Sequence, residues 1–444
     1  MIRKITDALV RFMKEYLPSS YWLAIILTTI VFVCGLVFTD TSVDKMINLL
    51  GKGMAGLLAF TMQMVLILVT GYALANAPVV LKILKRLAQI PKTNAQAIMF
   101  TSFVSSLCTY LHWGFGLVAG ALIAKEVAIN NYGKKIHYPL LIAAAYSGNL
   151  IRGPSSSVFL GPTEPNHVAS QHVGVIPLSD TLYCMENIIM TIILLIGIPI
   201  LYKYMIPPEE KSIEISVDLM KQTTAPPPKK EVDLSKLSFA ERMEHSWISQ
   251  YIIAGLLGIY IIVDFIKSPT FNLSINMIIL IFLVLGMFAH KTPGAYAKAI
   301  KDATKTADGM ILQFPFYAAI MVMLRDTGMS TAIAKWFISI STADTLPLFA
   351  FYAAGLINLF IPSGGGLWAI QGPIMLEAAK MLGADPAAVM IGMGWGDSWT
   401  SQVQPFWALP LLAIAGLDVN DIMGYCSMVL IFSGIVISAT LLLM

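Results

Sequence analysis

Long apolar runs alternate with short polar segments over most of the chain. A helix needs about 20 apolar residues to cross the hydrocarbon core of a bilayer, so runs near that length predict membrane-spanning helices. Nine such runs lie at roughly 21–38, 54–76, 138–161, 183–203, 248–266, 274–290, 309–325, 387–413 and 422–443. The pattern predicts an all-α polytopic membrane protein.

Two further apolar stretches, 95–130 and 345–382, are interrupted in the middle by glycine-rich turns. Each is too long for one helix and poorly bounded for two ordinary spans. Lys and Arg collect at the N-terminus, in the segment after the second span and in 291–305, whereas 161–180 has neither. Since basic loops stay in the cytoplasm, these positions predict a cytoplasmic N-terminus, an external C-terminus and two re-entrant hairpins.

Near the midpoint, the polar segment 204–247 has mixed charge and contains APPPKK. Such a composition buries little apolar surface, so we predict a cytoplasmic linker over 206–247. The linker separates a first half, 1–205, from a second half, 248–444.

The two halves resemble each other at an offset of about 250 residues, as expected for an internal repeat. YLHWGFGLVAG (110–120) aligns with FIPSGGGLWAI (360–370), and SGN (147–149) aligns with WGD (395–397). In the predicted topology the span at 54–76 runs inward and its counterpart at 309–325 runs outward. The copies are therefore predicted to form an inverted repeat, an architecture typical of secondary transporters.

Composition and the lack of certain motifs argue against several functional classes. The chain is 57% hydrophobic and 12% charged, and its net charge of +3 gives no reason to expect a nucleic-acid partner. The four cysteines lie singly in apolar stretches, so we predict no metal site and no cofactor. The first apolar run lacks a clear cleavage site and is interpreted as a retained span. No phosphate-binding GxxxxGK[ST] motif is present, which argues against an ATP-driven pump.

The hairpin tips, 109–116 and 361–368, are the first candidate sites. Their glycines permit close backbone approach, and helices that begin just after them present free N–H groups to an anion. The alternative is a tight turn between packed helices, since GLVAG (116–120) fits a small-xxx-small pattern. His112 is either a pH-sensitive group or a hydrogen-bonded structural residue. The tip residues predicted to bind substrate are His112, Trp113, Gly114, Ser363, Gly364, Gly365, Gly366 and Trp368.

Two predicted broken helices supply the second set, because polar groups deep in apolar spans are functional candidates. Gly148, Gly153 and Pro154 interrupt the span 138–161, and Gly394, Gly396 and Pro405 are predicted to interrupt 387–413. The substrate candidates at the first break are Asn149, Arg152 and Ser155. The predicted ion-coupling residues are Asn149, Asp397, Thr400 and Ser401, with a proton or Na⁺ as the ion.

Arg152 could hold a carboxylate through its planar guanidinium, or it could instead pair with Asp397 or reach a membrane boundary. Asp397 could carry the coupling ion, or it could cap the broken helix.

The sequence resembles the AtoE-type short-chain fatty acid transporters. The resemblance rests on EYLPSSYWLAIILTTIVF (15–32), MQMVLILVTGYALANAPVV (62–80), GLINLFIPSGGGLWAIQGPIMLEAA (355–379) and MGWGDSWTSQVQPFWALPLLAIAGL (393–417). It implies uptake of acetoacetate, butyrate and similar monocarboxylates across a bacterial inner membrane. The broken helices and paired hairpins are also distantly similar to divalent-anion/sodium symporters, which implies an elevator motion and a homodimer. Those relatives carry Ser-Asn-Thr at both tips, where this chain has His-Trp-Gly and Ser-Gly-Gly.

Together these features predict a symporter for short monocarboxylates, with no enzyme activity. The alternative is an ion-coupled transporter of C4-dicarboxylates or another small organic anion. An intramembrane enzyme would need a catalytic pair at one depth, and a passive channel would need a filter motif. Neither is evident in the sequence.

Overall fold

The computed structural model describes residues 20–56, 58–163, 173–224, 238–267, 275–360 and 364–444. Within these ranges the chain forms α-helices and short 3₁₀ helices, without a β-strand. The predicted all-α class is confirmed.

The first half consists of apolar helices with short amphipathic helices between them. Its helices are α1 (Ser20–Phe38), α2 (Val43–Gly53), α3 (Leu58–Ala75), α4 (Pro78–Leu87), α5 (Asn94–Leu111), α6 (Trp113–Asn130), α7 (Tyr138–Tyr146), α8 (Ser157–Leu160) and α9 (Met185–Tyr204), with 3₁₀ helices at Ser147–Leu150 and Gly161–Thr163.

The second half begins after two short linker helices, α10 (Val217–Thr224) and α11 (Phe239–Glu244). It contains α12 (Ile248–Lys267), α13 (Ile275–His290), α14 (Pro293–Thr304), α15 (Asp308–Asp326), α16 (Met329–Ile340), α17 (Leu346–Phe360), α18 (Gly364–Leu382), α19 (Pro386–Thr400), α20 (Pro405–Ala415) and α21 (Val419–Leu441).

The series α1 to α9 recurs in the same order as α13 to α21. In each series a long helix, a short helix and a second long helix precede another short helix, a helical hairpin, a broken helix and a final long helix. A duplication predicts this recurrence. The opposite orientation of the two copies stays a prediction.

Four helices of the described chain are by themselves long and apolar enough to cross a membrane. They are Trp113–Asn130, Met185–Tyr204, Phe239–Lys267 and Val419–Leu441. Two pairs bent by 66° and 55°, one around α3 and α4 and the other around α14 and α15, raise the number to six if each pair is one span. The predicted spans at 138–161 and 387–413 are each divided between shorter helices, so neither forms one continuous helix of spanning length. The predicted total of nine stays a prediction.

The first hairpin reverses direction at a single residue, His112, between α5 and α6. Its arms pack closely because Gly116 lies against Thr109 and Gly120 lies against Ser105; a Cβ added to either would come within 2.3 Å of its neighbour. These two glycines therefore do the packing that the small-xxx-small interpretation predicts.

The tip of this hairpin is buried beside the middle of α3. A Cβ added to Gly71 would lie 2.6 Å from the backbone nitrogen of Phe115, and one added to Gly114 would lie 3.1 Å from the carbonyl oxygen of Ile67. Since Ile67 is near the midpoint of α3, the tip lies at that depth within the protein. Of the second tip, 361–368, residues 361–363 lie outside the described residues, and 364–368 form the start of α18.

The first predicted break is present. Helix α7 ends at Tyr146, a 3₁₀ turn follows, and the chain is irregular until α8 begins at Ser157. Gly148, Gly153 and Pro154 all lie in this interruption, as predicted.

The second break lies later than predicted, between the end of α19 at Thr400 and the start of α20 at Pro405. The prediction that Gly394 and Gly396 interrupt the helix is wrong. Both lie inside a continuous α19, where a Cβ would come within 2.4 Å of the Phe159 ring and within 2.3 Å of the Phe351 carbonyl oxygen, respectively. These glycines allow close packing and do not end the helix.

The two breaks are hydrogen-bonded to each other. The Tyr146 hydroxyl, at the end of α7, donates to the carbonyl oxygens of Ser401 and Gln404 at 2.5 and 3.2 Å. A helix end leaves carbonyl groups unsatisfied, and burial makes such groups costly, so this hydroxyl stabilises the second break from the first half.

Asn358 on α17 fixes the same break from the second half. Its side-chain amide donates to the hydroxyls of Thr400 and Ser401, each at 3.0 Å. The Gln404 amide donates to the carbonyl oxygen of Leu359 at 2.9 Å. The second break is thus held on both sides by specific side chains.

The first part of the predicted linker docks onto the loop before α7. The Ile213 carbonyl accepts from the Tyr138 amide at 2.7 Å, and the Ile213 amide donates to Nδ1 of His137 at 3.0 Å. The Glu214 carboxylate accepts from the amides of Gly133 and Lys135. Burial lowers the pKa of His137 to about 4, which keeps the ring neutral and able to accept at Nδ1. The APPPKK run lies outside the described residues.

Gly116→Ala tests the close packing of the first hairpin. The added methyl would meet the Thr109 backbone, which cannot move aside as a flexible side chain could, so we expect a loss of stability of about 1–3 kcal/mol. Thermal unfolding of the purified protein in detergent should show a lower midpoint. The matched control is Gly255→Ala on α12, where a Cβ meets nothing within 4 Å. Equal midpoints for the two variants would contradict the packing role.

Tyr146→Phe tests the contact between the breaks. Removing the hydroxyl leaves two buried carbonyl oxygens without this donor, and we expect a cost of about 1–3 kcal/mol in the same unfolding measurement. Tyr260→Phe on α12, where the side chain is 55% exposed, is the matched control and should change little. The interpretation fails if Tyr146→Phe unfolds at the wild-type temperature.

Candidate functional site

A small buried cavity lies where both hairpins and both breaks converge. Its volume is about 20 Å³, roughly the room that one water molecule needs. It is lined by Met64, Trp113, Arg152, Ser156, Ser157, Gly364, Asp397 and Trp407. Elements that are far apart in sequence thus contribute to one site.

Arg152 and Asp397 form a buried ion pair across the two halves. The closest approach is 3.6 Å, between Nη2 of Arg152 and Oδ2 of Asp397, and the side chains are only 8% and 3% exposed. This distance is longer than the 2.7–2.9 Å of a charge-assisted hydrogen bond. The charges are therefore paired without being tightly bonded.

Both members of the pair retain hydrogen-bonding capacity. Within the described part of the chain, Nε of Arg152 and Oδ1 of Asp397 are buried without a hydrogen-bond partner. Asn149, one turn before Arg152, is 1% exposed, and neither polar atom of its side chain has a partner of normal geometry there. Buried polar groups are nearly always satisfied, so this concentration of unused donors and acceptors indicates a place for a ligand.

The N-terminus of α18 reaches this pair. A Cβ added to Gly364 would lie 2.9 Å from Oγ of Ser157 and 3.2 Å from Oδ2 of Asp397. Any larger residue would fill the space beside the carboxylate. The positive end of a helix dipole therefore begins directly next to Asp397.

The N-terminus of α6 at the first tip is used differently. The Trp113 amide donates to Oγ of Ser155 at 3.0 Å, and Nδ1 of His112 accepts from the Phe115 amide at 3.2 Å. Ser155 therefore binds the hairpin tip, and His112 caps the helix with its ring 3.8 Å from that of Phe282. The geometry favours the structural interpretation of His112.

The other described residues that were predicted at the tips, apart from Trp113 and Gly364, do not line the cavity. Gly114 packs against α3, and Gly365 and Gly366 lie in the first turn of α18. The Trp368 ring packs against Gly161 and is absent from the cavity lining. Ser363 lies outside the described residues.

Thr400 and Ser401 are already engaged in hydrogen bonds. Thr400 donates to the Gly355 carbonyl at 2.7 Å, Ser401 donates to the Asp397 carbonyl at 2.7 Å, and both accept from Asn358. They hold the break more than they offer ligands to an ion. Among the residues that the structure describes, no group of three or more His, Cys, Asp or Glu side chains could hold a metal.

Several cavity residues were not predicted. Trp407 follows Pro405 directly after the second break, so its position beside a break was a usable signal. Ser156 and Ser157 follow the first break in the same way. Met64 begins the apolar run 64–69 inside α3, and no local pattern distinguishes it from the rest of that run.

Two larger cavities, of about 520 and 360 Å³, are each lined in part by α20. They share Lys305, Thr306 and Ala413, and they separate α20 from the end of α3 and from α14. This end of the protein carries the basic residues that predict the cytoplasmic face.

Comparison with known proteins identifies the family of the chain. The family described as short chain fatty acid transporter matches residues 1–444. Two relatives, from Escherichia coli (strain K12) and Haemophilus influenzae (strain ATCC 51907 / DSM 11121 / KW20 / Rd), both carry the name "Putative short-chain fatty acid transporter". Each is 40% identical to this chain over 443 residues, which covers 98% of this chain and 98% of the relative.

Solved structures give a weaker likeness. The Alcanivorax borkumensis YdaH transporter has a TM-score of 0.45 at 15% identity and covers 95% of this chain and 98% of its own. Neisseria gonorrhoeae MtrF, from a class of antimetabolite efflux pumps, has a TM-score of 0.41 at 14% identity and covers 98% and 96%. Similarity at this level does not extend to the site.

The whole-length family match confirms the resemblance predicted from the sequence motifs. With its several long apolar helices, the protein is a multi-pass membrane transporter and not an enzyme. The chain belongs to the short-chain fatty acid transporter family.

Proposed function

We propose that this protein is a proton-coupled symporter of short monocarboxylates such as butyrate and acetoacetate, and that it works in a bacterial inner membrane with its N-terminus in the cytoplasm. The observation that carries the proposal is the buried Arg152–Asp397 pair, which retains an unused donor and an unused acceptor. In this proposal the substrate carboxylate binds Arg152 beside the N-terminus of α18.

Charge balance supports the proton as the coupling ion. The protein contributes one cation and one anion to the site. Adding a substrate anion would leave a net negative charge in a low-dielectric interior. If Asp397 first takes up a proton at a carboxylate oxygen, the substrate replaces it as the partner of Arg152. The site then stays neutral, and one proton travels with each carboxylate.

Sodium coupling receives less support from the geometry. A hard cation needs several oxygen ligands, and the predicted hydroxyl ligands Thr400 and Ser401 already hold the second break. Asn149 remains the predicted ion-coupling residue with unused polar atoms. In the proton mechanism its amide would donate to the bound carboxylate.

The charge of the cavity favours a monocarboxylate over the alternative C4-dicarboxylate. Of the described residues that line it, Arg152 is the only cation. A second substrate carboxylate would face Met64 or the tryptophans and would lose its hydration without compensation. A single carboxylate with a short apolar tail suits a cavity that combines one cation with apolar side chains.

The small cavity volume implies that the site must open before substrate enters. Two inverted copies that exchange conformations would open it alternately to each side. The recurring helix order supports such a repeat. We propose an elevator motion in which the hairpins and broken helices move together, in a homodimer.

Uptake by proteoliposomes is the direct test of the transport proposal. We expect labelled butyrate to accumulate when the outside is more acidic than the lumen, and a sodium gradient alone to have no effect. Unlabelled acetoacetate should compete, and succinate should not. Accumulation driven by sodium at equal pH would refute proton coupling, and competition by succinate alone would indicate a dicarboxylate transporter.

Substitutions of the buried pair separate binding from coupling. Arg152→Gln removes the substrate's cationic partner and should weaken butyrate binding by roughly 10- to 100-fold. Asp397→Asn cannot change its protonation, so it should retain butyrate exchange between lumen and medium but lose accumulation driven by the pH gradient.

The control variants are Arg325→Gln and Asp326→Asn, which alter an exposed ion pair at the end of α15. Both should transport like wild type. The double variant Arg152→Gln/Asp397→Asn leaves no buried unpaired charge, and its unfolding midpoint shows whether lost transport reflects lost folding. Accumulation by Asp397→Asn at the wild-type level would contradict the proposed coupling role.

A further inference from the structure

The cavity has two chemically different walls. Arg152, Ser156, Ser157 and Asp397 form the polar wall, and Gly364 lies against its Ser157 and Asp397. Met64, Trp113 and Trp407 form the apolar wall. An amphipathic ligand would therefore bind with a fixed orientation.

The two tryptophans form one rigid surface. Their ring centroids are 5.0 Å apart at an interplanar angle of 76°, a favourable edge-to-face contact. The Trp113 backbone is fixed by Ser155, so this ring lies at the hairpin tip in a defined position. Neither ring can move far without disturbing the other.

Met64 is the adaptable member of the wall. It lies one turn before Ile67 and Leu68 on the same face of α3, and those residues contact the hairpin tip at Gly114. Met64 is 3% exposed, so its side chain is directed into the protein. A methionine side chain is unbranched and flexible, which lets it fill space that a ligand would otherwise take.

We propose that Met64 limits the length of the alkyl tail that the site accepts, so that this residue sets the chain length at which affinity for straight-chain monocarboxylates stops rising. The inference rests on the proposed function, because it places the carboxylate at Arg152. The tail then extends along Trp113 and Trp407 and ends against the Met64 thioether.

Shortening Met64 should extend the accepted chain length. Each buried methylene is worth about fourfold in affinity, and hexanoate has two more than butyrate, so Met64→Ala should improve hexanoate relative to butyrate by up to about 16-fold. Met64→Phe adds bulk at the same place, and it should weaken butyrate more than acetate. The two substitutions are expected to shift the preferred chain length in opposite directions. A gain in affinity for hexanoate cannot result from misfolding.

The experiment uses full-length protein in proteoliposomes. Unlabelled acetate, butyrate, hexanoate and octanoate compete with labelled butyrate in wild type, Met64→Ala, Met64→Phe and the matched control Met62→Ala. Met62 lies on the same helix, two residues away, with its side chain 57% exposed. The control should keep the wild-type order of competitors.

Two failures are distinguishable. If wild type transports butyrate but Met64→Ala keeps the wild-type order of competitors, the inference about Met64 is overturned and the transport proposal stands. If wild-type protein does not transport labelled butyrate, the transport proposal itself is overturned.

Discussion

The buried pairing of Arg152 with Asp397 is the constraint on which the rest of the site depends. Two opposite charges in a low-dielectric interior are tolerated only together, because either one alone would cost several kcal/mol of lost hydration. The pair joins the first break to α19 and so connects the two halves at their centre. Gly364, at the N-terminus of α18, lies directly beside this pair.

Irregular backbone at this depth needs its own stabilisation, and side chains from both halves supply it. Tyr146 of the first half caps carbonyl groups of the second break, and Ser155 at the first break binds the first hairpin tip. Asn358 completes the second break from within the second half. Since unsatisfied backbone is costly where water is absent, these side chains are as necessary to the fold as the apolar core.

The sequence predicted the places of chemistry better than the contacts within them. Glycine, proline and isolated polar residues in apolar runs identified the first break and the turn of the first hairpin, because those residue types disturb a helix by themselves. The pairing of Arg152 with Asp397 was an alternative interpretation, and the structure contains it. Gly394 was misinterpreted because a glycine that ends a helix and one that admits a neighbouring helix look the same in sequence. Met64 carries no local signal. Asn358, an isolated polar residue in the apolar α17, was a usable signal that the prediction did not include.

The two hairpin tips differ in one respect that has a consequence for the whole carrier. At the first tip the leading amide of α6 is already bound by Ser155, whereas at the second tip α18 begins against the Asp397 carboxylate. The two helix N-termini therefore present different chemistry, however alike the two halves are in the order of their helices. A hydroxyl fixes the first tip and a carboxylate lies beside the helix that follows the second, so matching substitutions at the two tips are not equivalent.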